Sequence, residues 1–322
     1  APHTWTTQTF RVFAWSVVFL TAAFVLNAYL SFWQDWPGTL GLFSGSIDTL
    51  AVVQAAIYIA AIALALALVA TASTRPLRAD SEILNAIVAY IVRACYYAVL
   101  LVGLADMVIS FLRVENLLPG VVGADLAEQL GRSRFRGPYV HMPLILLGMI
   151  IATFKRDLGF VWLALLVVIA ELQIVIMRFI FAYEQAFMGD LVRFWYAALF
   201  LFASAYTLLE DGHVRVDVVY AGLSQRTRGM VNLVGSIILG IVFCWVIIAI
   251  GMWSKTSIIT TAMRTYEVSQ SGYGMYVKYL MAGFLGVFGV TMMIQFCSYV
   301  LESLADVRGD PGHREPAGDS LH

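Results

Sequence analysis

The residues with the greatest capacity for chemistry are ionisable side chains that interrupt long apolar runs. Arg93, Asp106 and Glu171 stand inside such runs. An ionisable group there can pair with an opposite charge, line a polar pathway or carry a proton. Glu171 could thus couple the transport of a solute to an ion. However, it lacks the surrounding pair of Gly- or Pro-interrupted runs that marks the binding sites of such transporters.

Helix geometry predicts a partner for Glu171. At 1.5 Å per residue, Arg93 lies about 15 Å beyond Ile83, near the start of its run, and Glu171 lies about 16 Å beyond Phe160. If both runs start on the same side of the membrane, the two charges meet near the midplane. We therefore predict an Arg93–Glu171 ion pair that fastens the N-terminal half of the chain to the C-terminal half.

Further contacts are predicted nearer the other side of the membrane. Asp106 could pair with Arg178 or with Arg193, and depth alone does not choose between them. Arg178 lies one helical turn before a short segment that leads to Asp190. We predict a local Arg178–Asp190 contact that holds two adjacent helices together, in preference to a ligand site.

The histidines and cysteines do not have the spacing of a metal or haem site. No two histidines lie one helical turn apart, and haem held between helices needs paired axial ligands. Each cysteine sits singly in an apolar run, as a packing residue does. We predict no metal and no cofactor, and a capping or interfacial role for His213. The residues concerned are His3, His141, His213, His313, His322, Cys95, Cys244 and Cys297.

Composition identifies the elements that must position these residues. Of 322 residues, 61% are hydrophobic and 13% are charged, whereas a soluble domain carries roughly 25% charged residues. Apolar runs of about 20 residues cross a bilayer as helices. The sequence therefore predicts an all-α membrane protein of about eight transmembrane helices, and its scattered basic residues argue against nucleic acid as a partner. The predicted spans are 12–33, 47–70, 83–112, 139–154, 160–182, 191–209, 230–253 and 276–303.

The connecting segments predict an interfacial helix and an orientation. The segment from Gly212 places Val214, Asp217 and Val218 on one face of a helix, which favours an amphipathic helix along the membrane surface. With both termini in the cytoplasm, ten Lys and Arg residues lie inside and seven outside, and four of the seven belong to segment 113–138. The positive-inside rule therefore favours an N-in, C-in topology.

The last four predicted spans carry a recognisable motif. Arg178 and aromatic residues close the first of them, Asp190 opens the second, and a Gly-His-Val-Arg-Val-Asp element from Gly212 and His213 to Asp217 follows the second. This pattern resembles the small membrane subunit, the Q or DctQ-type component, of tripartite ATP-independent periplasmic (TRAP) transporters. The resemblance covers residues 160–304. It leaves 1–159 as an N-terminal membrane extension of about four spans and 305–322 as a polar tail predicted to be disordered.

The resemblance implies a non-catalytic subunit of the bacterial inner membrane. In such transporters the small subunit supports a large membrane subunit, the M or DctM-type component. The large subunit moves an organic acid by an elevator motion that is commonly driven by sodium. A periplasmic binding protein delivers the substrate. The alternatives are a self-sufficient transporter, disfavoured because no inverted repeat is evident, and a membrane anchor for a redox enzyme, disfavoured by the absence of cysteine clusters and paired histidines.

A basic cluster stands in the segment 113–138. Arg132, Arg134 and Arg136 alternate with other residues among Gly131, Gly137 and Pro138. Two interpretations stay open for this cluster. It could be a solvated loop that contacts phospholipid headgroups, or it could dock an acidic patch of the periplasmic binding protein.

Overall fold

The chain folds into long helices. The computed structural model describes residues 5–43, 48–156, 160–209, 220, 222–269 and 274–312, and within these ranges there is no β-strand. Eight helical stretches in the described part of the chain are long and apolar enough to cross a membrane. The prediction of an all-α membrane protein with about eight transmembrane helices is confirmed. The predicted interfacial helix, with Gly212, His213 and Asp217, lies outside the described residues.

The helices are numbered in chain order. They are α1 (Trp5–Trp33), α2 (Thr49–Thr71), α3 (Leu77–Val114), α4 (Leu118–Val122), α5 (Ala124–Leu130), α6 (Ser133–Arg136), α7 (Met142–Phe154), α8 (Phe160–Phe181), α9 (Ala186–Leu209), α10 (Gln225–Gly235), α11 (Val242–Met252), α12 (Ile258–Thr265) and α13 (Lys278–Arg308). Turns of π-helix join α6 to α7 at Gly137–His141 and α10 to α11 at Ser236–Ile241. Each of these two joined pairs forms one continuous span.

The fourth span is longer than the sequence predicts. It runs from Ser133 to Phe154, 22 residues, whereas hydropathy predicts a start at 139. The difference arises because its first turns are polar and contain Pro138. A stretch of 22 residues is about 33 Å long as an α-helix, which is enough to cross the hydrocarbon core of a bilayer.

The chain divides into two compact units. One comprises Ala1–Val88, Thr207–Ser257 and Gly289–His322, and the other comprises Ala89–Tyr206 and Ile258–Phe288. Each unit therefore contains residues from both sides of position 160, where the resemblance begins.

Buried polar contacts hold the first unit together. Arg11 Nε donates to Asp80 Oδ2 at 2.6 Å, and both side chains are completely buried. The half-buried Arg75 also reaches the Asp80 carboxylate, at 3.3 Å. Helix α13 continues to Arg308, past the predicted end of the folded chain, and Arg78 Nε donates to the carbonyl of Pro311 at 2.9 Å. Residues 313–322 of the predicted tail lie outside the described part of the chain.

In a cleft of the first unit, the polar residues that line one side form hydrogen bonds with one another. The cleft has a volume of about 360 Å³ and includes Asn27, Ser31, Gly38 and Gln54 among its lining residues. The Gln54 side chain accepts from the Gly38 amide at 2.7 Å and donates to the Ser31 hydroxyl at 2.9 Å. Asn27 Nδ2 in turn donates to the Gln54 carbonyl at 3.2 Å. These bonds connect α1 to α2 and to the segment between them.

Candidate functional site

A buried polar network lies near the Val114 end of α3, within the second unit. Asp106 is its centre, because its Oδ1 accepts from Arg136 Nη1 at 2.7 Å and from His141 Nε2 at 3.0 Å. All three side chains are completely buried. Arg136 also donates to the Ser110 hydroxyl at 3.2 Å and to the Leu130 carbonyl at 2.9 Å. A buried charge needs such compensation, since an isolated ion in a low-dielectric interior is very unfavourable.

The π-helical turn explains how Arg136 and His141 reach the same carboxylate. In an α-helix, residues five apart point about 140° away from each other. In a π-helical turn the bonds run from i to i+5, which brings residues five apart close to one line. Here the Met142 amide donates to the Gly137 carbonyl. The widened turn thus lets both side chains point at Asp106.

Two aspartates hold consecutive amides of the segment before α13. Asp106 Oδ2 accepts from the Tyr276 amide at 2.8 Å. Asp190 Oδ2 accepts from the Met275 amide at 3.0 Å, and its Oδ1 accepts from the Ser269 hydroxyl at 3.4 Å. Because Asp106 belongs to α3 and Asp190 to α9, this segment is bonded to two helices at once. Carboxylates that accept backbone N–H bonds form charge-assisted hydrogen bonds, which are among the stronger ones in proteins.

The Tyr276 side chain is held by two guanidinium groups. The guanidinium carbons of Arg136 and Arg113 lie 4.3 Å and 4.6 Å from the centre of its ring, in cation–π geometry. Arg113 donates to the Tyr276 hydroxyl and, at 3.0 Å, to the Gly274 carbonyl. The Tyr276 hydroxyl donates to the Gly131 carbonyl at 2.8 Å. The Tyr276 ring is therefore central to this network.

The network continues to α13 through His141. His141 Nδ1 lies 2.8 Å from the Tyr279 hydroxyl, and the Tyr279 ring packs edge-on against Tyr266. A β-carbon at Gly137 would lie 2.3 Å from the Tyr266 ring, so only glycine fits there. Since Asp106, Arg136 and His141 are completely buried, a dissolved solute cannot reach them. The arrangement holds helix ends and connecting segments in place, and it supplies no exposed acid, base or nucleophile.

The predicted basic cluster is not one surface. Arg132 and Arg134 are exposed, and Arg132 pairs with Glu128 four residues earlier. Arg136 is completely buried against Asp106. Arg136 faces inward, where it bonds to Asp106, to Ser110 and to the Leu130 carbonyl, whereas Arg132 and Arg134 face outward. For Asp106, the structure selects neither Arg178 nor Arg193 as the partner. It selects Arg136 and His141, which sequence depth did not suggest.

The predicted Arg178–Asp190 contact does not form. Arg178 is exposed, whereas Asp190 is buried and bonds to the segment before α13. Its nearest cation is Arg193, at 3.6 Å. The turn after α8 is held by a different bond, in which the Tyr183 hydroxyl donates to the Glu115 carboxylate. That carboxylate raises the pKa of Tyr183.

The predicted Arg93–Glu171 ion pair does not form either. No ion pair joins the two among the described residues. Arg93 is half-buried and its Nε has no hydrogen-bond partner, while Glu171 is exposed. Helix α8 is the least buried of the eight spans, with 11% of its most apolar stretch buried. Its buried positions include Leu163 and Ala170, and Glu171 points away from them.

Metal-binding clusters are not found in the described ranges. No group of three or more His, Cys, Asp or Glu side chains there could hold a metal ion.

Comparison with known families assigns the C-terminal part of the chain. Residues 160–306 match the model of the family described as tripartite ATP-independent periplasmic transporters, DctQ component. The chain carries a DctQ domain. Its start coincides with the predicted start at 160, and its end lies two residues beyond the predicted end. No curated protein and no solved structure gives a match.

The DctQ domain shares the buried network with the residues that precede it. Asp190, Met275 and Tyr276 belong to the domain, whereas Asp106 and Arg136 come from the N-terminal helices. The contacts between the N-terminal helices and the DctQ domain therefore include a charge-assisted hydrogen bond from the Tyr276 amide to the buried carboxylate of Asp106. The sequence predicts an ion pair between the two parts, at Arg93 and Glu171, and that pair does not form. Of the family motif residues, Arg178 and Asp190 are described, and Gly212, His213 and Asp217 lie outside the described ranges.

Proposed function

We propose that this protein is the non-catalytic small membrane subunit of a TRAP transporter and supports a large DctM-type subunit. The observation that carries the proposal is the DctQ domain at residues 160–306, in a chain whose described residues include eight helices long and apolar enough to cross a membrane. Ion-coupled uptake of an organic acid, delivered by a periplasmic binding protein, follows from the same family assignment. An elevator needs a static frame against which its moving part slides, and a subunit without a catalytic site suits that role.

The buried network supports the role of a static frame. It bonds the segment before α13 to α3 and α9 through the paired amides of Met275 and Tyr276. The bonds of this network favour a single arrangement, because breaking any of them would leave a buried polar group unpaired. The four spans before the DctQ domain would enlarge the frame.

The same network is consistent with the alternating crossings of the proposed topology, which places both termini in the cytoplasm of a bacterium and the chain in its inner membrane. The network gathers the end of α3, the start of the fourth span, the start of α9 and the segment before α13. In a chain that crosses the membrane eight times in alternation, these four points lie on one side. With the N-in, C-in topology favoured by the basic residues, that side is the periplasm.

Co-purification tests the proposed function. The tagged chain, extracted from its native membrane in mild detergent, should recover a large polytopic subunit that mass spectrometry identifies as DctM-type. The recovered pair, reconstituted in liposomes with the binding protein, should take up solute when an ion gradient is applied. Solute uptake by the chain alone in liposomes would contradict the proposal.

Arg132 and Arg134 provide a second prediction, for docking of the binding protein. Both lie exposed on the proposed periplasmic side, where they can attract an acidic patch. Replacing both by Gln should weaken docking on the order of tenfold at low salt and little at high salt, because exposed charges act mainly by steering. Surface plasmon resonance over a salt series measures this effect.

The control for docking removes the same charge from the other end of the span. Lys155 and Arg156 are also exposed, and replacing both by Gln should leave docking unchanged. Equal affinities for the two double variants would reject the docking role and leave Arg132 and Arg134 as solvated or lipid-facing residues.

A further inference from the structure

We propose that one face of α8 is the interface with the large membrane subunit, and that a cationic side chain of that subunit pairs with Glu171 inside the membrane. We call this surface the Glu171 face and define it by Val161, Val168, Glu171, Val175 and Arg178. The inference rests on the proposed function and names the surface through which the small subunit binds its partner.

The Glu171 face is continuous and uncovered. Val161, Val168 and Val175 recur every seven residues and are 83%, 62% and 48% exposed. Glu171 lies three residues after Val168 and four before Val175, and residues at these spacings are neighbours on a helix. Arg178 follows Glu171 by seven residues. The exposed Leu172 and Phe179 lie beside these valines, so the surface around Glu171 is apolar.

Glu171 stands at the middle of this span. Helix α8 has 22 residues, and Glu171 lies about 16 Å from its first residue and about 15 Å from its last. When α8 crosses a bilayer, Glu171 is therefore far from the water on either side of the membrane. No hydrogen bond or ion pair involving Glu171 occurs within the ranges that the structure describes. Ionisable residues in spans nearly always face protein or a water-filled cavity, so this face needs a protein neighbour.

Charge complementarity selects the neighbour. Lipid tails offer Glu171 no partner. A second copy of the chain packed through the same face would be related by two-fold symmetry and would bring Glu171 close to its own copy, and two like charges disfavour each other. A different subunit with an Arg or Lys at the same depth supplies the missing charge. The proposed large subunit is such a partner, since it shares the membrane with this chain.

Charge substitution tests the pairing in the full chain. Glu171→Lys should lower the amount of large subunit recovered with the tagged chain by about tenfold or more, since it places two cations together inside the membrane. Glu171→Gln should lower recovery less, because an amide can still accept a hydrogen bond. Glu184→Lys is the matched control: Glu184 is exposed in the turn after α8, and its replacement should leave recovery unchanged.

Bulky substitutions test the face independently of charge. Val168→Trp should block the approach of the partner helix and reduce recovery. Ile169→Trp is its control, because Ile169 is 49% exposed but points to a different side of α8. Each variant should run as a single peak in size-exclusion chromatography, which shows that the chain itself is folded. A photo-crosslinking residue at Val175 should then capture the large subunit, and the same residue at Ile169 should not.

The outcomes separate this inference from the proposed function. Unchanged recovery for both Glu171→Lys and Val168→Trp, with a wild-type chain that does recover the large subunit, overturns the Glu171 face and leaves the proposed function standing. A wild-type chain that recovers no large subunit overturns both. Reduced recovery confined to Glu171→Lys and Val168→Trp supports the interface.

Discussion

Asp106→Ala is expected to lower the free energy of unfolding by about 3–5 kcal/mol, the usual result of breaking a buried ion pair from one side. The substitution removes the carboxylate that accepts from Arg136, from His141 and from the Tyr276 amide. Arg136 is completely buried, so its charge would lack an ionic partner in a low-dielectric interior. Equilibrium unfolding in detergent, followed by tryptophan fluorescence, measures the change.

Two comparisons make this prediction specific. Asp125→Ala removes a carboxylate that is exposed in α5 and should change stability by less than about 0.5 kcal/mol, as most surface substitutions do. The double variant Asp106→Leu, Arg136→Met removes both charges and should recover part of the loss, because apolar replacement of a whole buried pair is often tolerated. If the double variant loses more free energy of unfolding than the two single variants lose together, the ion-pair explanation is contradicted.

Arg11→Met is expected to destabilise the chain by about 3–5 kcal/mol as well, because it leaves Asp80 buried without its main partner. Arg11 and Asp80 are 2.6 Å apart and completely buried. Arg75 contacts the same carboxylate at 3.3 Å, but its side chain is 37% exposed. Arg75→Met should therefore cost less, about 1 kcal/mol, because Arg75 is partly solvated and Asp80 keeps its closer partner Arg11.

The two arginines share one carboxylate, so their difference isolates the effect of burial. The same unfolding assay, applied to Arg11→Met and Arg75→Met, compares them directly. Equal losses would mean that the Arg11–Asp80 pair contributes no more than a surface contact, and that packing around α1 holds this part of the first unit.

Both predictions concern charges that connect separate segments of chain. The Asp106 network joins the N-terminal helices to the DctQ domain, and the Arg11–Asp80 pair joins α1 to α3. A variant that weakens the Asp106 network should therefore also weaken any function that requires the two parts to act as one frame. Recovery of the large subunit by the Asp106→Ala chain, measured in the assay described above, reports on that connection.

The sequence alone predicts the number of spans and their type, because hydropathy over some 20 residues is a local property. The third span, predicted at 83–112, is found at Leu77–Val114, and it is longer because polar residues continue the helix beyond the hydrocarbon. The DctQ domain is also predictable, since its motif residues, Arg178, Asp190 and the element from Gly212 to Asp217, stand in a recognisable order along one stretch of sequence. The fourth span was predicted too short because polar residues and a proline open it.

Pairing of charges is not predictable in the same way. Depth along a helix axis follows from counting residues, but an ion pair also requires that both helices rotate the two side chains toward each other. Arg136 stands beside two exposed arginines in the sequence, and only the packing around it places it against Asp106. Glu171 has the right depth to meet Arg93, and the rotation of α8 carries it outward.

The amino-acid sequence by itself therefore determined the class of fold, the eight spans found in the described part of the chain and the DctQ domain, all of which depend on local composition and on the order of motif residues along the chain. Only the tertiary structure decided which charged side chains are buried and which are exposed. The physical reason lies in α8, which is apolar on nearly every side. Lipid and protein interior are equally apolar surroundings for such a helix, so its composition does not indicate which side faces the bundle, and only contacts with its neighbours do.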